Sequence, residues 1–214
     1  MNITSYAEFQ SLLPQRVQDW ITEKHSCINT DHYWWGCIYR CLDNDMDAIG
    51  IYASARYFSG FCSQGDGACF DGHITSFEKF FAQPDFAKFE AIKENLASAK
   101  WASCGTYCHE HTLSFDINLE YGPCEDRFDN PVRYQVARIT YEEAEAQFDE
   151  FEGALVEFIK ERCRQFYRDL EAEHDSLQET EAIVDTLIAN DMLTEELIEQ
   201  AFGACGLEIP DVHA

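Results

Sequence analysis

The chain has 214 residues, 46% of them apolar and 14% aromatic, which is ample for a packed core. Forty acidic against 15 basic residues give a formal net charge of −25, whose field repels nucleic-acid phosphates and anionic membrane surfaces and excludes both as direct partners. No apolar run approaches the roughly 20 residues that span a bilayer, and residues 1–19 lack the basic start and apolar core of an export signal. A cytoplasmic protein whose ten cysteines are reduced is therefore expected.

Over residues 6–24, Phe9, Leu12, Leu13, Val17, Trp20 and Ile21 recur at three- and four-residue spacing, which predicts a helix with one buried face, interrupted at Pro14. The aromatic cluster Tyr33, Trp34 and Trp35 leads into a short strand predicted around Cys37–Leu42. Asp43, Asp45 and Asp47 then match the first ligand positions of a calcium loop. Ala48 stands where its glycine belongs and Ser54 where its closing glutamate belongs, so the run reads as a solvated hairpin turn. Alternation over Ile49–Phe58 predicts a strand, and the glycine-rich segment after it a tight turn into a second strand at Ala68–Ile74.

Thr75 or Ser76 is placed to cap a helix starting at Phe77, and a second helix after Pro84 carries Phe86, Phe89, Ile92 and Leu96. From Gly105 to Leu119 the period becomes two: His109, His111, Leu113, Phe115 and Ile117 share one strand face, while Glu110 takes the other. A polar connection and an edge strand over Val132–Thr140 follow. Thr140 then opens a long helix with the apolar stripe Ala144, Phe148, Phe151, Leu155, Phe158, Ile159, Cys163, Phe166 and Leu170. Shorter helices are predicted around Ile183–Ile188 and Leu197–Phe202, with a break near Asn190.

These elements describe an α+β fold: a small antiparallel sheet covered by helices, with a long acidic amphipathic helix and shorter helices at the C-terminus. The expected division is an α+β core over residues 1–139 and an acidic helical region over 140–214, packed on the core or forming an interface, with a homodimer as one use of the aromatic stripe. Residues 140–214 hold 21 acidic and 4 basic side chains, about two thirds of the excess charge.

Two segments carry groups suited to chemistry, Gln64-Gly65-Asp66-Gly67 and Tyr107-Cys108-His109-Glu110-His111. If they meet in the sheet, Asp66, His109, His111 and His73 offer oxygen and nitrogen ligands to a divalent metal, with Asp66 or Glu110 as general base for a metal-dependent hydrolysis. The competing reading has the histidines ending the core face and Asp66 shaping its own turn. Cys37/Cys41 and Cys104/Cys108 have CxxxC rather than CxxC spacing, so most cysteines read as small buried hydrophobes rather than zinc ligands. No nucleophile elbow, phosphate-cradling loop or dinucleotide fingerprint is present.

The segment Tyr57-Phe-Ser-Gly-Phe-Cys-Ser-Gln-Gly-Asp-Gly-Ala-Cys-Phe70, followed by Gly105-Thr-Tyr-Cys-His-Glu-His-Thr112, resembles a pattern in uncharacterised bacteriophage and prophage proteins. Those proteins pair an SGFxSQGDGAxF turn with a later YxHE run. The resemblance implies a phage accessory protein acting in the cytoplasm of an infected bacterium, where small acidic proteins inhibit host defence, including restriction and CRISPR components, by mimicking DNA. The expected partner is a basic, nucleic-acid-binding host or phage protein, with no cofactor. It would be met by Glu142, Glu143, Asp149, Glu150 and Glu157 on the long helix and by Gln64 and Asp66 in the turn. The metal-dependent hydrolase is the alternative.

Overall fold

The computed structural model describes residues 3–105, 108–119 and 141–210, apart from the side chains of residues 94 and 141–145. The edge strand expected over 132–140 and its polar connection lie outside these residues. The chain divides into two compact units, residues 1–36 with 171–214, and residues 37–170. These boundaries cut the chain differently from the expected break at 139/140, because the first two helices group with the last two rather than with the sheet. Among the described residues no helix is long and apolar enough to cross a membrane.

The discontinuous unit is helical. Helix α1 (Tyr6–Leu12) starts at Ser5, whose hydroxyl accepts from the Glu8 amide, and stops before Pro14, which forces Leu13 into an extended conformation. Helix α2 (Gln15–Lys24) follows at once. From the other end of the chain come α6 (Thr180–Ala189) and α7 (Glu195–Cys205), the latter capped by Thr194 and closed by Gly206 in the left-handed conformation. Phe9, Val17, Ile21, Val184, Leu187, Ala201 and Phe202 form the core. Gln18, buried beside it, satisfies its side-chain amide by donating to the Leu13 and Gln10 carbonyls.

The second unit is built on an antiparallel meander, β1 (Ile51–Phe58), β2 (Ala68–Ile74), β3 (Leu96–Ser103) and β4 (Leu113–Leu119), in that order across the sheet. A bulge between Ala53 and Ala55 shifts the phase of β1, so Ile51 and Ala53 are buried while Tyr57, expected on the same face, is exposed. Helix α4 (Phe77–Phe81) is capped by Ser76, as expected. A 3-10 helix over Ala87–Asn95 replaces the predicted helix after Pro84, and Leu96 opens β3, a strand the sequence pattern missed.

Two expectations are corrected here. Cys37–Leu42 is not a strand: it lies in helix α3 (Gly36–Ala48), because Ile38, Leu42 and Met46 make a stripe at four-residue spacing that extends beyond those six residues. Asp43, Asp45 and Asp47 consequently sit on that helix and not in a hairpin turn, with Asp43 ion-paired to Arg56.

The long helix α5 (Tyr141–Leu177) forms as predicted. Phe151, Leu155, Ile159, Cys163, Phe166 and Leu170 are buried at four- and three-residue steps. In the sheet-bearing unit this stripe meets a cluster of rings: Phe151 stacks on Phe81 at 5.5 Å and lies 5.6 Å from Phe89, and Phe86 approaches Phe80 at 4.3 Å. The last turns of α5 belong to the other unit, where Trp34 packs on His174 and the Asn29 side chain donates to the Leu177 carbonyl.

Candidate functional site

The glycine-rich turn and the His-Glu-His segment meet, at one end of the sheet. The turn is shaped by Asp66, whose Oδ2 accepts from the backbone amides of Cys62 and Ser63, each at 2.7 Å. These two hydrogen bonds, Ser63 first, hold the Asp66 carboxyl below its ordinary value of 3.8. Ser59 then clasps the turn, its amide donating to the Gly67 carbonyl and its hydroxyl accepting from the Gly67 amide. Gly67 is buried against the opposing segment: a Cβ there would fall 2.8 Å from the Cys108 carbonyl oxygen and 3.1 Å from the His109 ring, so only glycine permits the approach.

A group with a depressed folded-state pKa contributes stability that is complete above its unfolded-state pKa and is lost as pH falls through the folded-state one. The stability difference between the wild type and Asp66→Asn is therefore expected to shrink as the pH is lowered below about 3.8, as acid-unfolding curves of the two proteins would show. A constant difference across that range would exclude the carboxylate as the source.

His109, Glu110 and His111 are not on a strand, which corrects the period-two expectation. A 3-10 turn spans Glu110–Thr112, and β4 begins only at Leu113. The turn is pinned by Thr112, whose amide and hydroxyl both donate to the His109 carbonyl. This geometry gathers the three side chains that strict alternation would have separated. Glu110 is buried at 9% exposure, with His109 Nδ1 2.6 Å from its Oε2 and His111 Nε2 3.5 Å from its Oε1. The two imidazoles stack 4.8 Å apart at an interplanar angle of 15°. On the α5 side, Arg164 Nε donates to Glu110 Oε1 at 3.3 Å, while its Nη1 reaches Glu157 and Glu161.

Of the residues expected in a site, Asp66 therefore enters through its neighbour Gly67 alone, since its carboxylate is committed to its own turn. His73 lies further along β2, exposed and against Tyr52. Gln64 is exposed in the turn. Of the acidic docking residues, Glu150 pairs with Lys88 and Glu157 with Arg164, Asp149 is exposed, and the side chains of Glu142 and Glu143 lie outside the described residues.

Arg164 was missed. Its signal in the sequence was a cation in the middle of an acidic helix, in register with Glu157 and Glu161.

The cysteines also depart from expectation. Among the described ones only Cys69 and Cys163 are buried, and burial pushes their thiols up to about 11 and about 12. Cys37 and Cys41 lie one turn apart on exposed positions of α3.

No curated protein and no solved structure matches the chain. Residues 34–180 match the domain of unknown function DUF8835, a stretch that takes in the whole sheet-bearing unit and the His-Glu-His turn and ends at the first residue of α6. Helices α1, α2 and α7 fall outside it. The chain thus belongs to the DUF8835 family.

Proposed function

We propose that the protein is a phage accessory interaction protein that presents carboxylates to the basic groove of a host or phage nucleic-acid-handling protein, such as a restriction or CRISPR component, and occupies it in place of DNA. The observation that carries this is the charge of the helical unit. Beyond Arg168 the sequence has 13 acidic residues and not one lysine or arginine. In that unit, residues 1–36 and 171–214 together hold 16 carboxylates against two basic side chains. Glu181 and Asp185 on α6 and Glu196 and Glu199 on α7 are exposed.

The structure moves the emphasis within the acidic region. Cations from the sheet-bearing unit itself already neutralise part of the α5 charge, as Lys88 does for Glu150 and Arg164 for Glu157. Carboxylates one to four residues apart on a helix with a rise of about 1.5 Å per residue place a negative charge about every 1.5–6 Å, a spacing that at its densest approaches the roughly one charge per 1.7 Å of duplex DNA. A densely basic surface is their electrostatic complement.

The test begins with capture from bacterial lysate at low and high salt, with partners identified by mass spectrometry. The captured protein is then purified and bound in the presence of competing duplex DNA. Binding is expected to be exclusive with DNA and to weaken by at least about tenfold between 50 and 200 mM salt. A comparable loss is expected on neutralising Glu181, Asp185, Glu196 and Glu199 together. A partner that binds equally well at high salt, or binds alongside DNA, would refute the mimicry.

A further inference from the structure

We infer that His109, Glu110 and His111 form a binding site for one divalent transition-metal ion, with two imidazole nitrogens and one carboxylate oxygen as ligands. The three ligand atoms lie within 4.8 Å of one another. Metal–nitrogen and metal–oxygen bonds of about 2.0–2.2 Å set neighbouring ligand atoms about 3.4 Å apart in a tetrahedral site. His109 Nδ1 lies 2.6 Å from Oε2 and must retreat by less than 1 Å, while His111 Nε2, 3.5 Å from the other oxygen Oε1, must turn toward Oε2. The side chains that have to adjust are free to do so: His109 is 29% exposed and His111 67%.

Glu110, Glu157 and Glu161 bring three negative charges against the two positive charges of Arg164 and Arg168, so the carboxylates and guanidiniums around the site leave a surplus of one negative charge for a bound cation. Arg164 fixes the carboxylate from the α5 side, as a partner behind a metal ligand does, and leaves Oε2 facing His109. The backbone behind the ligands is held as well, by Gly67 against Cys108 and His109 and by the Thr112 clasp on the His109 carbonyl. Three ligands from one turn leave coordination positions open to water. Two imidazoles and a carboxylate suit zinc, cobalt, nickel or iron rather than calcium or magnesium. Asp66, whose carboxylate is spent on the Cys62 and Ser63 amides, is not a ligand.

The site uses no residue of α6 or α7, so its failure would leave the docking function of their carboxylates standing, and the reverse. The probe is cobalt(II), titrated into chelator-stripped full-length protein under reducing conditions, because its absorption spectrum distinguishes nitrogen and oxygen ligands from the exposed thiols. One ion per chain is expected, without a thiolate-to-cobalt charge-transfer band. His111→Ala is the deciding variant, since His111 is largely exposed and its loss leaves the fold intact, as circular dichroism would confirm. It should weaken binding at least tenfold, whereas Asp66→Asn should leave affinity within a factor of two. The absence of saturable binding, a thiolate band at one equivalent, or undiminished affinity in folded His111→Ala would each overturn the inference.

Discussion

Replacing Phe151 with alanine should cost about 3–5 kcal/mol of folding stability, the range found when a fully enclosed aromatic ring is deleted and its cavity only partly collapses. Phe151 has no exposed surface, and its ring lies within 6.4 Å of Phe80, Phe81, Phe86 and Phe89. It is the point at which α5, α4 and the 3-10 helix Ala87–Asn95 share contacts, so the loss falls on three elements together. Against a typical total of about 5–15 kcal/mol, that is a large fraction, and at the low end of the range it leaves much of the protein unfolded. Denaturant titration followed by tryptophan fluorescence measures it through the midpoint. A shift worth under about 1 kcal/mol, by the same cavity argument, would mean that the ring is not enclosed in solution.

Gly50→Val should destabilise by about 2–4 kcal/mol, from left-handed strain and steric overlap acting together. Gly50 has φ +80°, and a Cβ there would lie 2.5 Å from the Ser76 carbonyl oxygen and 2.9 Å from the Lys79 Cβ. Its own carbonyl accepts from the amides of Thr75 and Ser76 and from the Thr75 hydroxyl, joining the start of β1 to the end of β2 at the α4 cap. The backbone cannot shift to relieve the overlap without breaking those bonds. Gly50→Ala should already be destabilising, because φ alone penalises it. An alanine variant as stable as the wild type would show that this turn adopts another conformation.

What was legible in the sequence was local. The α5 stripe, the ends of β2, the Ser76 cap and the break at Asn190 each depend on residues within a few positions, and each stands where periodicity and capping chemistry put it. What failed depended on partners remote in sequence. Leu96–Ser103, rich in alanine and lacking β-branched residues, has little intrinsic strand preference and becomes β3 because β4 pairs along it from Leu96↔Leu119 to Ser103↔Leu113. Cys37–Leu42 is too short to separate strand from helix, and Met46, further on, decides for the helix.

The site shows the same division. That the glycine-rich turn and the His-Glu-His run carry groups suited to chemistry was readable from their composition, whereas their meeting and the role of each residue were not. Alternation turned Glu110 away from the histidines; one turn of 3-10 helix brings it between them, and Arg164, more than fifty positions away, meets it from α5. Asp66, the most conspicuous acid in the motif, serves the backbone around it.

The helical unit is assembled from two stretches of chain, residues 1–36 and 171–214, separated by all of the sheet-bearing unit. During synthesis on the ribosome, α1 and α2 emerge first, with Phe9, Val17 and Ile21 facing outward and nothing yet made to cover them. At translation rates of about 5–20 residues per second, their partners on α6 and α7 arrive on the order of ten seconds later. For that interval the nascent chain carries an uncovered apolar stretch, the kind of segment chaperones hold, while the sheet-bearing unit is made behind it.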